Sequence, residues 1–207
     1  MQLTNFRVFL KKIIKEGNRL QKVDINGQVT TKRWFTDMQL IALVLAIIGV
    51  WILKHGFSHD FARDIVVFLG IFVGLFAGVV ISLHDKSKDL LKGFEEKSQP
   101  EQAQIRRIKN YLFQFTGLAA YAIVLAIGII ILLVFNLLFE SFHLDIWEYT
   151  FVKRFTVETF LCLVQIAALV VHRFLVLYWL VNFFVLTLFA ISSYFSYLLN
   201  DYKNTEI

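Results

Sequence analysis

Apolar residues run almost unbroken through four stretches of this chain, at about 35 to 53, 65 to 83, 115 to 139 and 174 to 199, while charge gathers between them. A helix needs about 20 apolar residues to cross a ~30 Å hydrocarbon core, so the pattern predicts an all-α polytopic membrane protein with four transmembrane helices. Lys and Arg are dealt unevenly. Eight precede the first stretch, two lie in 54–64, seven in 85–110, two in 140–158 and one in the tail, with Arg173 apart. Alternate connectors therefore carry sixteen against four, and the positive-inside rule places both termini and the central connector in the cytosol.

Before the first span, Leu3, Phe6, Leu10 and Ile13 recur at helical steps, and Arg7, Lys11, Lys12 and Lys15 occupy other positions. This is an amphipathic helix with a basic face, expected to stop near Gly17 and Asn18. It reads as an anchor on the inner leaflet, where its four bases meet anionic lipid, or as a cytosolic helix packed on the rest of the chain. Asn26 and Gly27 then lie between two short arms, Val23 to Ile25 and Gln28 to Thr30, a pattern that predicts a small hairpin with a type I′ turn. Residues 1–34 thus form a cytosolic part, and 35–207 the helical membrane domain.

Gly70, Gly74 and Gly78 recur every four residues in the second span, and such a bare strip lets another backbone approach closely. The spacing predicts a packing interface, favouring a second copy of the chain over an internal neighbour. Past Leu83 the helix can continue with Leu90, Leu91 and Phe94 on one side. Ser98 followed by Glu101, with Pro100 between them, is a capping box that starts a helix of about forty residues running to Phe139. Such a helix is close to 60 Å long. Its first half, with Ile105, Ile108 and Leu112 at helical spacing, is expected to pair with the extension of the second span as a cytosolic helical hairpin over 85–114.

The final segment admits two readings. In the preferred one, 155–171 is an interfacial or re-entrant helix, a span follows from 174 to about 197, and Arg173 reaches the head groups at the outer boundary. In the other, the span is centred on 172 and Arg173 is a buried cation requiring a carboxylate, carbonyls or a water-filled lumen. Gln165 lies seven residues before His172 and so on the same helical face, which makes Gln165, His172 and Arg173 the candidates for a polar lumen or a partner contact. Asn182, Ser192 and Ser193 continue this polarity, and the segment is expected to face protein.

With 57% hydrophobic and 18% charged residues in 207, four spans leave room for no large extramembrane domain. The net charge of +5 comes mainly from the connectors predicted to be cytosolic, which suits anionic lipid rather than nucleic acid. One cysteine, Cys162, excludes a disulfide within the chain and a thiolate metal cage. His55, His59 and Asp60 are ligand-type residues, but Gly56 argues against the helix that would align them. The sequence contains no H-E-x-x-H, no C-x-x-C and no phosphate-cradling glycine loop, and Ser141, His143 and Asp145 read as a polar outer loop. No enzyme, cofactor or metal is expected. Trp147, Tyr149 and Phe151 have the composition of an interfacial belt. The long basic stretch before the first span is unlike a signal peptide, so that span is expected to stay in the mature protein.

Size, span number, cytosolic termini and the second-span run FLGIFVGLFAGVVISLHDK together resemble the small four-span membrane components of prokaryotic antiviral defence loci, such as the Kiwa membrane subunit and the type VI-B CRISPR membrane accessory. That resemblance implies an inner-membrane homo-oligomer that senses or perturbs the membrane and works with a cytosolic effector protein. The alternative is a channel or transport subunit unrelated to defence.

Overall fold

A computed structural model describes residues 3–23, 35–90, 98–146 and 157–203. They form five α-helices: α1 (Leu3–Leu20), α2 (Asp37–Ile52), α3 (His59–Leu90), α4 (Gln99–Leu138) and α5 (Val157–Lys203), with a short 3-10 turn at Glu140–His143. Three of them, α3, α4 and α5, are long and apolar enough to cross a membrane, and α2 is shorter at 16 residues. The predicted hairpin arms beyond Val23 and the aromatic belt at Trp147, Tyr149 and Phe151 lie outside the described residues.

Helix boundaries follow local chemistry. Ser98 and Glu101 form the predicted capping box, the Ser98 N–H and hydroxyl donating to Glu101 Oε2 at 2.9 and 2.6 Å. From that cap α4 runs 40 residues without interruption. Ser58 caps α3 in a similar way, accepting the Phe61 N–H at 3.2 Å, so α3 begins six residues before the apolar run does. Between α2 and α3 the chain turns at Gly56, whose φ of 79° is the left-handed region that glycine enters without a side-chain clash.

Two expectations are corrected. The amphipathic helix does not stop at Gly17; it continues to Leu20, because Gly17 lies flush against Tyr121 of α4, where any Cβ would collide with the tyrosine side chain. The last apolar segment does not break near 171. α5 is one helix of 47 residues, about 70 Å of rise, with no glycine or proline anywhere in it. A re-entrant turn there would have exposed helix-end carbonyls, and nothing in the sequence offers a cap for them.

The chain clusters into two compact units, one of Met1–Thr36, Phe72–Val124 and Phe183–Ile207, the other of Asp37–Ile71 and Leu125–Asn182. In the first, Ile105, Ile108 and Leu112, the three residues picked out by spacing, are buried on α4, and Phe115 continues their stripe, meeting Phe76 of α3 and Tyr194 of α5 at ring-centroid distances of 6.1 and 5.6 Å. α1 rests on the same helix: Gly17 faces Tyr121, Leu20 covers Gly117, and Gln114 Nε2 donates to the Val23 carbonyl at 3.3 Å. In the second unit α2 buries Gln39, Ala42, Ala46 and Val50 and turns Ile41, Val44, Ile48, Trp51 and Ile52 outward. Small residues inside and large apolar ones outside is the distribution a lipid solvent selects, since tails compete equally for apolar surface and only close packing separates the two faces.

Replacing Gly117 by Leu should force Leu20 from its seat and release α1. Overpacking of this kind costs about 1 to 3 kcal/mol, enough to speed tryptic cleavage at Lys11, Lys12 and Lys15 by roughly tenfold while α5 stays intact. Unchanged cleavage would mean that α1 is held elsewhere.

Candidate functional site

Arg173 is the largest fully buried side chain among the described residues, 1% exposed, and every polar contact made by its two terminal nitrogens is to backbone. Nη1 donates to the carbonyls of Leu53 and Lys54 at 3.0 and 2.8 Å. Nη2 donates to those of Phe142 and Leu144 at 3.3 and 2.6 Å. The first pair belongs to the end of α2, where helix carbonyls have no intrahelical partner, and the second to the turn that follows α4. A cation at a helix C-terminus is also favoured by the helix dipole. One planar fork therefore closes two chain ends at once, which a point charge could not do.

The surroundings are shaped to the guanidinium. A Cβ on Gly56 would lie 2.7 Å from the Phe142 carbonyl oxygen and 3.1 Å from Arg173 Nη2, so only glycine fits that turn. Asp145 acts on the guanidinium electrostatically and also faces His55, its Oδ2 3.5 Å from His55 Nδ1. The expectation that Arg173 reaches outward to head groups is thus corrected. It is buried in protein, and the carbonyls named for the alternative reading supply its partners, with α5 continuous through the site.

His172 adds a second polar feature. Its Nε2 lies 3.0 Å from the Leu132 carbonyl, a contact that requires a proton on Nε2, since a carbonyl only accepts. The ring packs on Phe142 at a centroid distance of 4.5 Å. Nδ1 has no hydrogen-bond partner among the described residues, and neither has either polar atom of Asn136, which is 1% exposed one turn beyond Leu132 on α4. Asn136 had no periodic signal to reveal it; a lone Asn in an uncharged run was the only clue.

The other candidates fall as follows. Gln165 is exposed, two turns before His172, and joins none of these bonds. Asn182 and Ser193 are buried while Ser192 is exposed, and Asn182 donates to its own helix at Tyr178, 2.9 Å away. His55 faces Asp145, whereas Asp60 pairs with Arg63 at 3.2 Å, so the structure does not gather His55, His59 and Asp60. Gly70, Gly74 and Gly78 lie on the outward face of α3, and apart from the local backbone of α3 and the adjoining residues no atom of the described residues comes within 4 Å of where a Cβ would stand. Arg7, Lys11, Lys12 and Lys15 are exposed on α1. No protein-family model, curated protein or solved structure matches this chain.

Arg173→Ala should take a donor from each of four carbonyls, Leu53 keeping the Gly56 N–H at 3.5 Å, and cost on the order of 3 kcal/mol or more, because the partners of a buried charge lose their compensation together. Arg173→Lys should recover only part, reaching one carbonyl pair. Thermal unfolding of the purified protein in detergent should rank wild type above Lys above Ala, with Leu175→Met near wild type. An Ala variant as stable as wild type would contradict the clamp.

Proposed function

We propose that this is a non-enzymatic homo-oligomer of the inner membrane, crossing four times with both termini in the cytosol, and acting as a sensor, scaffold or pore component beside a cytosolic effector in antiviral defence. The observation that carries the assembly is the open glycine strip. Gly70, Gly74 and Gly78 face outward between Val67, Ile71 and Leu75, all more than half exposed, and only 11% of the α3 span is buried against 39% for α4. In lipid, bare backbone forfeits contacts that a second helix restores, so a neighbouring copy is the partner that makes use of the strip.

Four crossings require α2 to span. Its 16 residues rise about 24 Å and begin with Asp37, so the uncharged stretch is 38–53, leaving a mismatch that local thinning accommodates. The outward Ile41, Val44, Ile48 and Trp51 support lipid contact along that length. In α4, Arg106, Arg107 and Lys109 stand exposed opposite the buried Ile105 and Ile108, a face suited to an effector on the cytosolic side. The defence role itself rests on the resemblance in size, span number and second-span sequence.

The channel or transport reading draws on a different observation, the buried polar side chains of Asn136 and His172 within otherwise apolar helices, which suit a polar path. Steady conductance of the purified protein in planar bilayers would favour it, whereas co-purification of one stable cytosolic protein favours the sensor and scaffold.

Reporter fusions should place residues near 57 and 145 outside and the 85–110 connector inside; labelling of that connector from outside would overturn the four-span topology. Gly74→Leu should lower the mass of the detergent-solubilised assembly measured by light scattering, because a branched side chain holds the facing helix away. An unchanged mass would assign the strip to lipid.

A further inference from the structure

Beyond its surface charge, α1 encloses a groove. The helix is pinned to α4 by its last turns, at Gly17 on Tyr121 and Leu20 on Gly117. Towards its N-terminus, Phe9 and Ile13 line, with the small residues Gly117 and Ala120 of α4, an open, mostly apolar groove of about 230 Å³. That is smaller than the ~300 Å³ at which sites for whole small molecules begin, and fits a length of flexible chain. Lys12 and Glu16 stand at its rim.

The two rim charges are not equivalent. Both carboxylate oxygens of Glu16 are engaged by Arg19, whose Nε donates to them at 3.1 and 3.2 Å. Lys12 is exposed, and Arg7, Lys11 and Lys15 stand on the same helix, so α1 presents five bases against the single acid that Arg19 neutralises. The groove also has a defined place along α4. Arg106, Arg107 and Lys109 lie just before it, and no charged residue follows until Glu140, so Gly117 and Ala120 stand where the water-facing part of α4 gives way to its apolar run. Phe6, Val8 and Phe9 are exposed at 51, 68 and 54% beside it. An apolar trough opening at that edge, with a cation at the lip, complements a molecule with a hydrocarbon tail and an anionic head.

We infer that the groove between α1 and α4 is a binding site for one anionic glycerophospholipid of the inner leaflet, with part of an acyl chain lying between Phe9, Ile13, Gly117 and Ala120 and the phosphate on Lys12. The site rests on the reading of α1 as a helix lying on the inner leaflet, and narrows it from general attraction to a single held lipid. The lysines outside the groove raise the local concentration of anionic lipid; Lys12 and the trough select and retain one molecule. Because α1 forms one wall, lipid occupancy and the docking of α1 on α4 favour each other, which couples the composition of the leaflet to the position of the N-terminal arm.

The test uses the full chain in nanodiscs of phosphatidylcholine, titrated with phosphatidylglycerol, with retained lipid counted by native mass spectrometry after release. Wild type should retain one phosphatidylglycerol in preference to phosphatidylcholine. Ala120→Leu fills the trough and should lower that retention about tenfold; Lys12→Gln, a change at an exposed position that leaves folding intact, should abolish the preference for the anionic lipid. Lys11→Gln should leave the retained lipid unchanged while weakening binding of the whole protein's N-terminal arm to anionic vesicles. Equal retention of both lipids by wild type, or wild-type retention in both Ala120→Leu and Lys12→Gln, would overturn the groove as a site. Loss of the vesicle effect in the Lys11→Gln comparison would instead overturn the broader placement of α1 on the leaflet.

Discussion

Where α2 ends and where the chain turns back after α4, backbone carbonyls lose their helical partners. Enclosed by protein, such groups have to be satisfied from within. Here the closing group is one guanidinium, fixed on a helix that passes through without a break, and its two terminal nitrogens take four carbonyls between them. The Gly56 turn, the approach of Phe142 to His172 and the burial of Asp145 all follow from the need to bring those carbonyls to Arg173. The charge is compensated chiefly by peptide dipoles, which leaves Asp145 able to face His55 as well.

The same solvent logic explains how the glycines are used. Gly49, Gly117 and Gly128 each receive a large side chain, from Leu177, Leu20 and Trp179, and Gly17 receives the body of Tyr121. At these four positions the absence of a side chain is consumed by packing inside the chain. At Gly70, Gly74 and Gly78 it is not, and the helix that carries them is the least covered of the three long ones. A chain that places glycine against its own side chains at those four positions, yet leaves three aligned glycines open, has a surface suited to the proposed second helix. This contrast, rather than the spacing alone, supports assembly through α3.

α1 is held at one end and open at the other. Its C-terminal turns are part of a packed core with α4, while Phe6, Val8 and Phe9 are left to the surroundings together with most of the bases. The two readings of this helix, anchor and packed element, are thereby compatible: each describes a different half. On the proposal of a lipid in the groove, a helix pinned at one end and completed by that lipid at the other would couple the membrane to the N-terminal arm without a separate sensor domain.

Much of the fold was legible in one dimension because helix in an apolar solvent is governed by local rules. The unbroken apolar runs announced α3, α4 and α5, Ser98 and Glu101 announced the start of α4, and Ile105, Ile108 and Leu112 announced its buried stripe, since capping and period depend only on neighbours in sequence. The same one-dimensional evidence singled out Arg173 and His172 as unusual. It could not say that Arg173 is buried, because its partners are carbonyls of residues about 30 and 120 positions away, and every residue type carries a carbonyl. Nor could it distinguish Gly17, a flat surface for Tyr121, from Gly17 as a helix stop, or show that Asn136 would be enclosed with its amide unmatched. Those outcomes belong to the tertiary structure, because they depend on which backbones meet, and that is decided by packing over the whole chain.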